Sequence, residues 1–178
     1  TNYNNYIRCV RGTLVPPNKV TIDQSVADAY KAELDAQGRT LTHFPPFNYD
    51  GGTVTGTTGS DYKGVSSTAT ISTPYSIEVS KTQPSGAYQY DNGNAKAQCT
   101  ALGSGWRLPT QIELFAMYQN KATLENISGF AAFIGSGYWS SSVYDGYAGG
   151  RCVLRFSDGS FSGNVTVDSR YVRCVRDI

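Results

Sequence analysis

Four cysteines and a single histidine are the side chains best suited to nucleophilic, redox or metal chemistry. Cys9, Cys99, Cys152 and Cys174 are far apart, and none sits in a Cys-x-x-Cys pair. Zinc sites use closely spaced cysteine or histidine ligands, so this spacing does not support one. Widely spaced cysteines in even number fit disulfides formed in an oxidising compartment, and the spacing does not choose among the connectivities. His43 lies in the run His43-Phe44-Pro45-Pro46-Phe47, distant in sequence from every serine-rich turn, and reads as a structural or surface residue. Neither a GxSxG elbow, an HExxH helix nor a glycine-rich phosphate loop occurs. Asp145, Asp158 and Asp168 are isolated carboxylates near turns, whereas calcium needs several converging oxygens. The chain is therefore expected not to be an enzyme and to use no cofactor or metal.

Composition points to recognition instead. A chain of 178 residues suits one domain, or one domain with an ordered extension. Charged residues make up only 16%, while there are 19 glycines and 13 tyrosines, so a loop-rich, aromatic surface is expected. Tyrosine supplies rigid amphipathic contact area, and Ser, Gly and Asn supply adaptable hydrogen bonding. A net charge of +1 leaves no basic field for nucleic acid, and no apolar run is long enough for membrane insertion. No signal peptide is present, and the chain, opening at Thr1, is read as a mature or excised piece.

The elements that would carry such a surface follow from local signals. Asp23 to Gln37 reads as a helix, capped by Asp23 or Ser25, with Val26, Ala29, Tyr30 and Leu34 on its apolar side and Gly38 as its stop. Asp50 to Ser60 reads as linker, and a boundary is expected between residues 50 and 75. Short strands are expected over Thr68 to Ile71 and Tyr75 to Val79. Asn92 to Leu102 looks helical through Ala95, Ala97, Cys99 and Leu102, and Thr110-Gln111-Ile112-Glu113 fits a capping box that opens another helix. Strands are expected over Tyr138 to Ser141, Arg151 to Phe156, Ser160 to Asn164 and Tyr171 to Arg176, with Ser157-Asp158-Gly159 as a hairpin turn. The pattern is α+β. The clearest internal repeat joins the two ends: Tyr6 to Arg11 reads Y-I-R-C-V-R and Tyr171 to Arg176 reads Y-V-R-C-V-R. The copies suggest either two paired strands or the tail of a preceding homologous domain.

Gly105-Trp106-Arg107-Leu108-Pro109-Thr110 with Glu113 and Leu114, Tyr138-Trp139-Ser140-Ser141-Ser142, Phe156-x-x-Gly159 and the closing Y-V-R-C-V-R carry a resemblance. In this order they resemble the C-type-lectin-fold domain at the end of bacterial surface proteins, including the C-terminal region of collagen-like adhesins. They also look like the variable proteins of diversity-generating retroelements. The likeness covers residues 75–178 and leaves residues 1–74 as an N-terminal extension or the tail of a preceding repeat. It implies a C-type-lectin-like fold, with two helices packed on short twisted antiparallel strands, and a Cys99–Cys174 disulfide tying a helix to the final strand. Trp106, Arg107 and Trp139 are then structural, with Glu113 the nearest partner for Arg107. Pairing Cys9 with Cys152 would use every sulfur, yet Cys152 also fits a free thiol. The chain lacks the EPN, QPD and WND triplets of calcium-dependent lectins. The fold also resembles formylglycine-generating enzymes, but no second reactive cysteine pair is present.

The two ends also differ informatively. The frame Thr…Tyr-x-Arg-Cys-Val-Arg is kept while Asn2, Asn4 and Asn5 are replaced by Val167, Ser169 and Arg170, each reachable from an AAC codon by changing adenines only. The same residue types fill the stretch between Trp139 and Cys174. The expected function is an extracellular adhesin or receptor-binding module for a protein or glycan on another cell or host surface. The expected setting is a bacterial surface or a phage virion, with a pilus or phage-tail tip subunit as the alternative. The ligand-contacting residues expected within 143–170 are Tyr144, Asp145, Tyr147, Arg151, Arg155, Ser157, Ser160, Ser162, Asp168 and Arg170. Phe161 is either an anchor of that surface or a core residue. Alternation along Arg151 to Phe156 should bury Cys152, Leu154 and Phe156 and expose Arg151, Val153 and Arg155.

Overall fold

Alternating apolar residues turn Lys19–Ile22 (β1) and Tyr75–Val79 (β2) into an antiparallel pair whose inner side is Val20, Ile22, Tyr75, Ile77 and Val79. A computed structural model describes residues 15–47, 69–91 and 94–178 of the chain. Among these residues the fold is α+β, with four helices and eight strands in three small antiparallel sheets. The first sheet is completed by Val175–Asp177 (β8), which pairs with β2. The second joins Tyr88–Gln89 (β3) to Ser169–Arg170 (β7). The third is Gly137–Tyr144 (β4), Gly150–Arg155 (β5) and Phe161–Val165 (β6), in that order.

Helix α1 (Gln24–Ala36) starts where Asp23 accepts from the amide of Val26, and Gly38 beyond its end takes a φ of +64°. Its buried side is Ala27, Tyr30 and Leu34, with Val26 and Ala29 partly covered. Tyr30 meets Phe115 and Phe161 edge-on, and its hydroxyl donates to the Phe44 carbonyl. Gln37 grips the β5–β6 turn, donating to Gly159 O at 3.0 Å and accepting from the Phe161 amide at 2.9 Å. The boundary expected near residue 74 is therefore not a boundary in the packing, since residues 19–47 share the core of residues 75–178. Among the described residues the expected strand over 68–71 is reduced to a single bridge residue, Ile71. Ala69 and Ile71 are core residues, and the Ile71 amide donates to Gln24; Thr68 lies outside the described residues. The Y-I-R-C-V-R copy and the Asp50 to Ser60 linker also lie outside them.

Helix α2 (Asn94–Thr100) is shorter than expected. Ala95 and Cys99, one turn apart, face inward; Ala97 points to the opposite side, and Leu102 falls in the turn beyond, 41% exposed. Helix α3 (Gln111–Gln119) is central, with every residue from Gln111 to Met117 buried, so it shows no polar stripe. Its Thr110–Glu113 capping box is complete. A short helix, α4 (Lys121–Glu125), follows without a sequence expectation to match.

Two apolar clusters result. The larger lies between α1, α3, the first sheet and the inner face of the β4–β5–β6 sheet. The smaller gathers Tyr90, Ala95, Cys99, Leu108, Val172 and Cys174 around Trp139 and Val153 on the opposite face of β4 and β5. Val153, expected to be exposed, is 1% exposed because this second layer covers it. The expected continuous strand over Tyr171 to Arg176 is broken between two sheets: Tyr171 bridges Tyr138, Val172 to Cys174 are buried outside any strand, and β8 begins at Val175.

Candidate functional site

The β4–β5–β6 sheet leaves its β4–β5 hairpin open to solvent and, on the face partly covered by the smaller cluster, leaves Arg151, Ser162 and Asn164 half-exposed. At the β4–β5 hairpin, Tyr144 lies over glycine: a Cβ at Gly163 or Gly146 would overlap its ring. From there an aromatic series runs outward from the core. Phe161 meets Phe44 at 5.9 Å, Phe44 meets Tyr144 at 5.1 Å, and Tyr144 meets Tyr147 at 5.0 Å. His43 flanks Tyr144 at 6.0 Å. Tyr147 ends the series 41% exposed. Partial burial, and then the neighbouring Tyr144, raise the pKa of its phenol, so it stays a neutral hydrogen-bonding tip. Asp145 is exposed beside it, its amide donating to the His43 carbonyl.

On the outward face, Arg151 sits opposite Asn164 and Val153 opposite Ser162. A polar series crosses this face. Ser162 donates to Asn164 at 3.2 Å, Asn164 to Asp168 at 3.1 Å, and the Arg170 guanidinium reaches the same Asp168 carboxylate at 3.4 Å. All four are half-buried. The Arg170 stem runs over Gly137, where a Cβ would come within 3.1 Å of it. Arg151 is half-buried with its guanidinium 4.6 Å from the Tyr90 ring centre, and the Lys96 ammonium lies 5.6 Å from that ring.

Arg155, Ser157 and Ser160 stand at the other end of β5, about 15–20 Å from the hairpin at ~3.3 Å per residue. Arg155 is exposed with a loose 3.8 Å contact to Asp158. Asp158 accepts from the hydroxyl and the amide of Ser160, which hold its carboxyl below the ordinary range; it shapes the turn. The ten expected contact residues thus form a hairpin group (Tyr144, Asp145, Tyr147), a face group (Arg151, Ser162, Asp168, Arg170) and a distant turn group (Arg155, Ser157, Ser160). Phe161 belongs to the core, 1% exposed. Tyr90, Lys96 and Asn164 were missed. Alternation of Asn164 with Ser162 was a readable signal, whereas Tyr90 arrives from a segment more than sixty residues upstream.

The scaffold residues are tightly held. The Trp139 indole donates to Tyr88 O at 2.6 Å and meets Tyr90 edge-on. Trp106 is half-buried beneath Arg176, whose guanidinium lies 4.9 Å from the ring centre. Cys99 and Cys174 form a disulfide, and Cys152 is a buried free thiol; Cys9 lies outside the described residues. Among the described residues no group of three or more His, Cys, Asp or Glu is placed to hold a metal ion, and no helix is long and apolar enough to cross a membrane.

A family model described as the Lcl C-terminal domain matches residues 66–176. A comparison with curated proteins gave no match. The matched span takes in β2 to β7 and reaches into β8, and it contains all ten expected contact residues, while His43 and Phe44 lie before it.

Proposed function

The chain belongs to the Lcl C-terminal domain family, and on that basis we propose that it is an extracellular recognition module of C-type-lectin-like fold that binds a protein or glycan on another cell or host surface. The disulfide and the family fit a surface or secreted setting. Binding, not catalysis, is the activity proposed.

One observation carries this reading. Between the two terminal copies, the residues kept are those that hold the fold, and the residues exchanged lie on the candidate surface, save the conservative Ile7-for-Val172 exchange, where Val172 is buried. In the C-terminal copy, Thr166 binds Asp91 through its hydroxyl and receives the Tyr90 amide on its carbonyl. Tyr171 packs on Tyr138, Arg173 is fully buried, Cys174 is in the disulfide, Val175 pairs in β8, and Arg176 meets Glu78 at 2.6 Å. The exchanged stretch, Val167 to Arg170, contributes Asp168 and Arg170 to the polar series and leaves Val167 59% exposed. A fixed frame under an exchangeable surface is the division of labour that recognition requires. Adenine-directed diversification of that surface is the source we favour. The test is a glycan and cell-surface-protein array probed with the chain and with a Tyr147→Ser/Arg170→Ser variant. Binding by the first and not the second is expected; equal binding by both would remove the surface from consideration.

A further inference from the structure

We propose, resting on the recognition reading above, that the hairpin end of the β4–β5–β6 sheet docks a protein and not a glycan. It takes an apolar side chain of that protein, with a lysine or arginine beside it.

Seven large apolar side chains of the described residues are exposed, and three of them, Tyr147, Val165 and Val167, belong to this end of the sheet. The strand register brings them together. Val165 lies opposite Gly150 in the β5–β6 pair, and a Cβ at Gly150 would come within 2.9 Å of the Tyr147 ring. Residues directly opposite on one face of such a pair are neighbours, so Val165 stands beside the ring that roofs Gly150. Alternation along β6 puts Val165 on the same face as Phe161 and Gly163, the face that carries the core. Val167 follows in the turn that the Asp168 amide closes on Val165 O at 3.0 Å. The core thus runs out along Phe161, Phe44, Tyr144 and Tyr147 to a rim where Tyr147, Val165 and Val167 are 41%, 44% and 59% exposed. Single exposed apolar residues are ordinary, whereas grouped ones rimmed by polar side chains mark protein contacts.

The neighbouring polar groups choose between the two ligand classes. A sugar needs unspent donors and acceptors for its hydroxyls, because hydroxyls buried unpaired oppose binding. Those beside the patch are spent on each other: Ser162 on Asn164, Asn164 on Asp168, and Arg170 on Asp168 and on Ser169 O at 2.7 Å. An apolar side chain asks for none of them and takes the three exposed groups out of water. The exception is Asp145, exposed two residues before Tyr147, with a carboxylate that no described residue engages. A cation on the incoming surface complements it. An apolar centre, a polar rim and one open acid make the anatomy of a protein contact.

Amide NMR of the 15N-labelled chain tests this with defined probes. Acetyl-Lys-Phe-Lys-amide should shift amides within 145–149 and 165–168, and acetyl-Lys-Ser-Lys-amide should not. Val165→Thr with Val167→Thr keeps both side chains β-branched while making them polar, and should weaken the first peptide about tenfold in a chain that still folds. Asp145→Lys should weaken it likewise. Shifts confined to other regions, no shifts, or an affinity that neither variant changes would overturn the proposal. On the glycan and cell-surface-protein array, the hits should be proteins, and both variants should lose them. Hits confined to glycans and lost by the Tyr147→Ser/Arg170→Ser variant would overturn the proposal and leave the recognition reading standing. Hits indifferent to that variant as well would overturn both.

Discussion

Arg107 and Glu113 meet in a two-armed ion pair, Nη1 to Oε2 and Nη2 to Oε1 at 2.8 Å each, with the carboxylate fully buried at the start of α3. Glu113 also accepts from the Thr110 amide at 2.8 Å, so one side chain caps its helix and anchors it. Arg107 extends the link, because its backbone pairs with Val175 and its second arm reaches Asp177 at 2.6 Å. The central helix is thereby tied to the closing strand. Burial pushes the Glu113 carboxyl up, but the Arg107 charge and the hydrogen bonds outweigh it and hold it below the usual carboxylate range.

Glu113→Gln should therefore cost about 3 kcal/mol at neutral pH, the low end for breaking a buried pair. The folded-state pKa lies below the unfolded one, so this contribution is complete above the ordinary carboxylate value and is lost as pH falls through the depressed one. Urea melts of both proteins at pH 7 and pH 3 check this. The gap between them should narrow at the lower pH, and an unchanged gap would show that Glu113 does not titrate as described.

Thr110→Ala removes the hydroxyl that accepts from the Glu113 amide at 3.4 Å. A loss of about 1 kcal/mol is expected, with ligand binding unaffected. Thermal melts and a binding titration distinguish this from a role in recognition.

Removing the disulfide by Cys99→Ala with Cys174→Ala should lower stability by about 4.5 kcal/mol in the chain-entropy account, since the bridged cysteines are 75 residues apart. Denaturant melts of oxidised, reduced and doubly substituted chains should place the last two together.

Cys152 should be inert in the native state. Burial pushes its thiol pKa well up, and no part of the side chain reaches solvent. Reaction with a thiol reagent should appear only along the unfolding transition. Rapid native labelling at Cys152 would mean that β5 is far less protected than its packing indicates.

The surface substitutions separate by burial. Tyr147→Ser and Arg155→Ser fall on exposed side chains and should leave Tm within a few degrees, at about 0.5 kcal/mol or less each. Arg151→Ser should cost about 1 kcal/mol, because Arg151 is half-buried against Tyr90. Replacing Tyr147, Arg151 and Arg155 together, neutral for folding if all three faced solvent freely, is therefore expected to lower Tm through Arg151.

Signals that act over a few residues were legible in the sequence: the Asp23 cap, the Thr110–Glu113 box and the turn at Gly159 all depend on neighbouring backbone groups. The Arg107–Glu113 pair was legible for the same reason. What covers a sheet was not. Alternation along β5 correctly assigns Cys152, Leu154 and Phe156 to the core, but it is silent about Tyr90 and α2 arriving on the other face over Val153. Likewise, the helical period of α1 says that Tyr30 is buried, not that it wedges between Phe115 and Phe161. The candidate surface was located as a stretch of chain. Its division into two ends of one sheet depends on strand direction, which composition does not encode.

The glycines beneath the hairpin tyrosines limit how freely this surface can be redesigned. Gly163 cannot acquire a side chain without displacing Tyr144, and a Cβ at Gly150 would come within 2.9 Å of the Tyr147 ring. A combinatorial library that randomised residues 143–170 uniformly would spend most of its members on collapsed hairpins. One that holds Tyr144, Tyr147, Gly146, Gly150 and Gly163 fixed and varies Asp145, Ser162 and Val167 to Arg170 would keep its aromatic platform in every member. The accessible sequence space is therefore narrower than the length of the segment implies, and its borders are drawn by three residues that have no side chain, Gly146, Gly150 and Gly163.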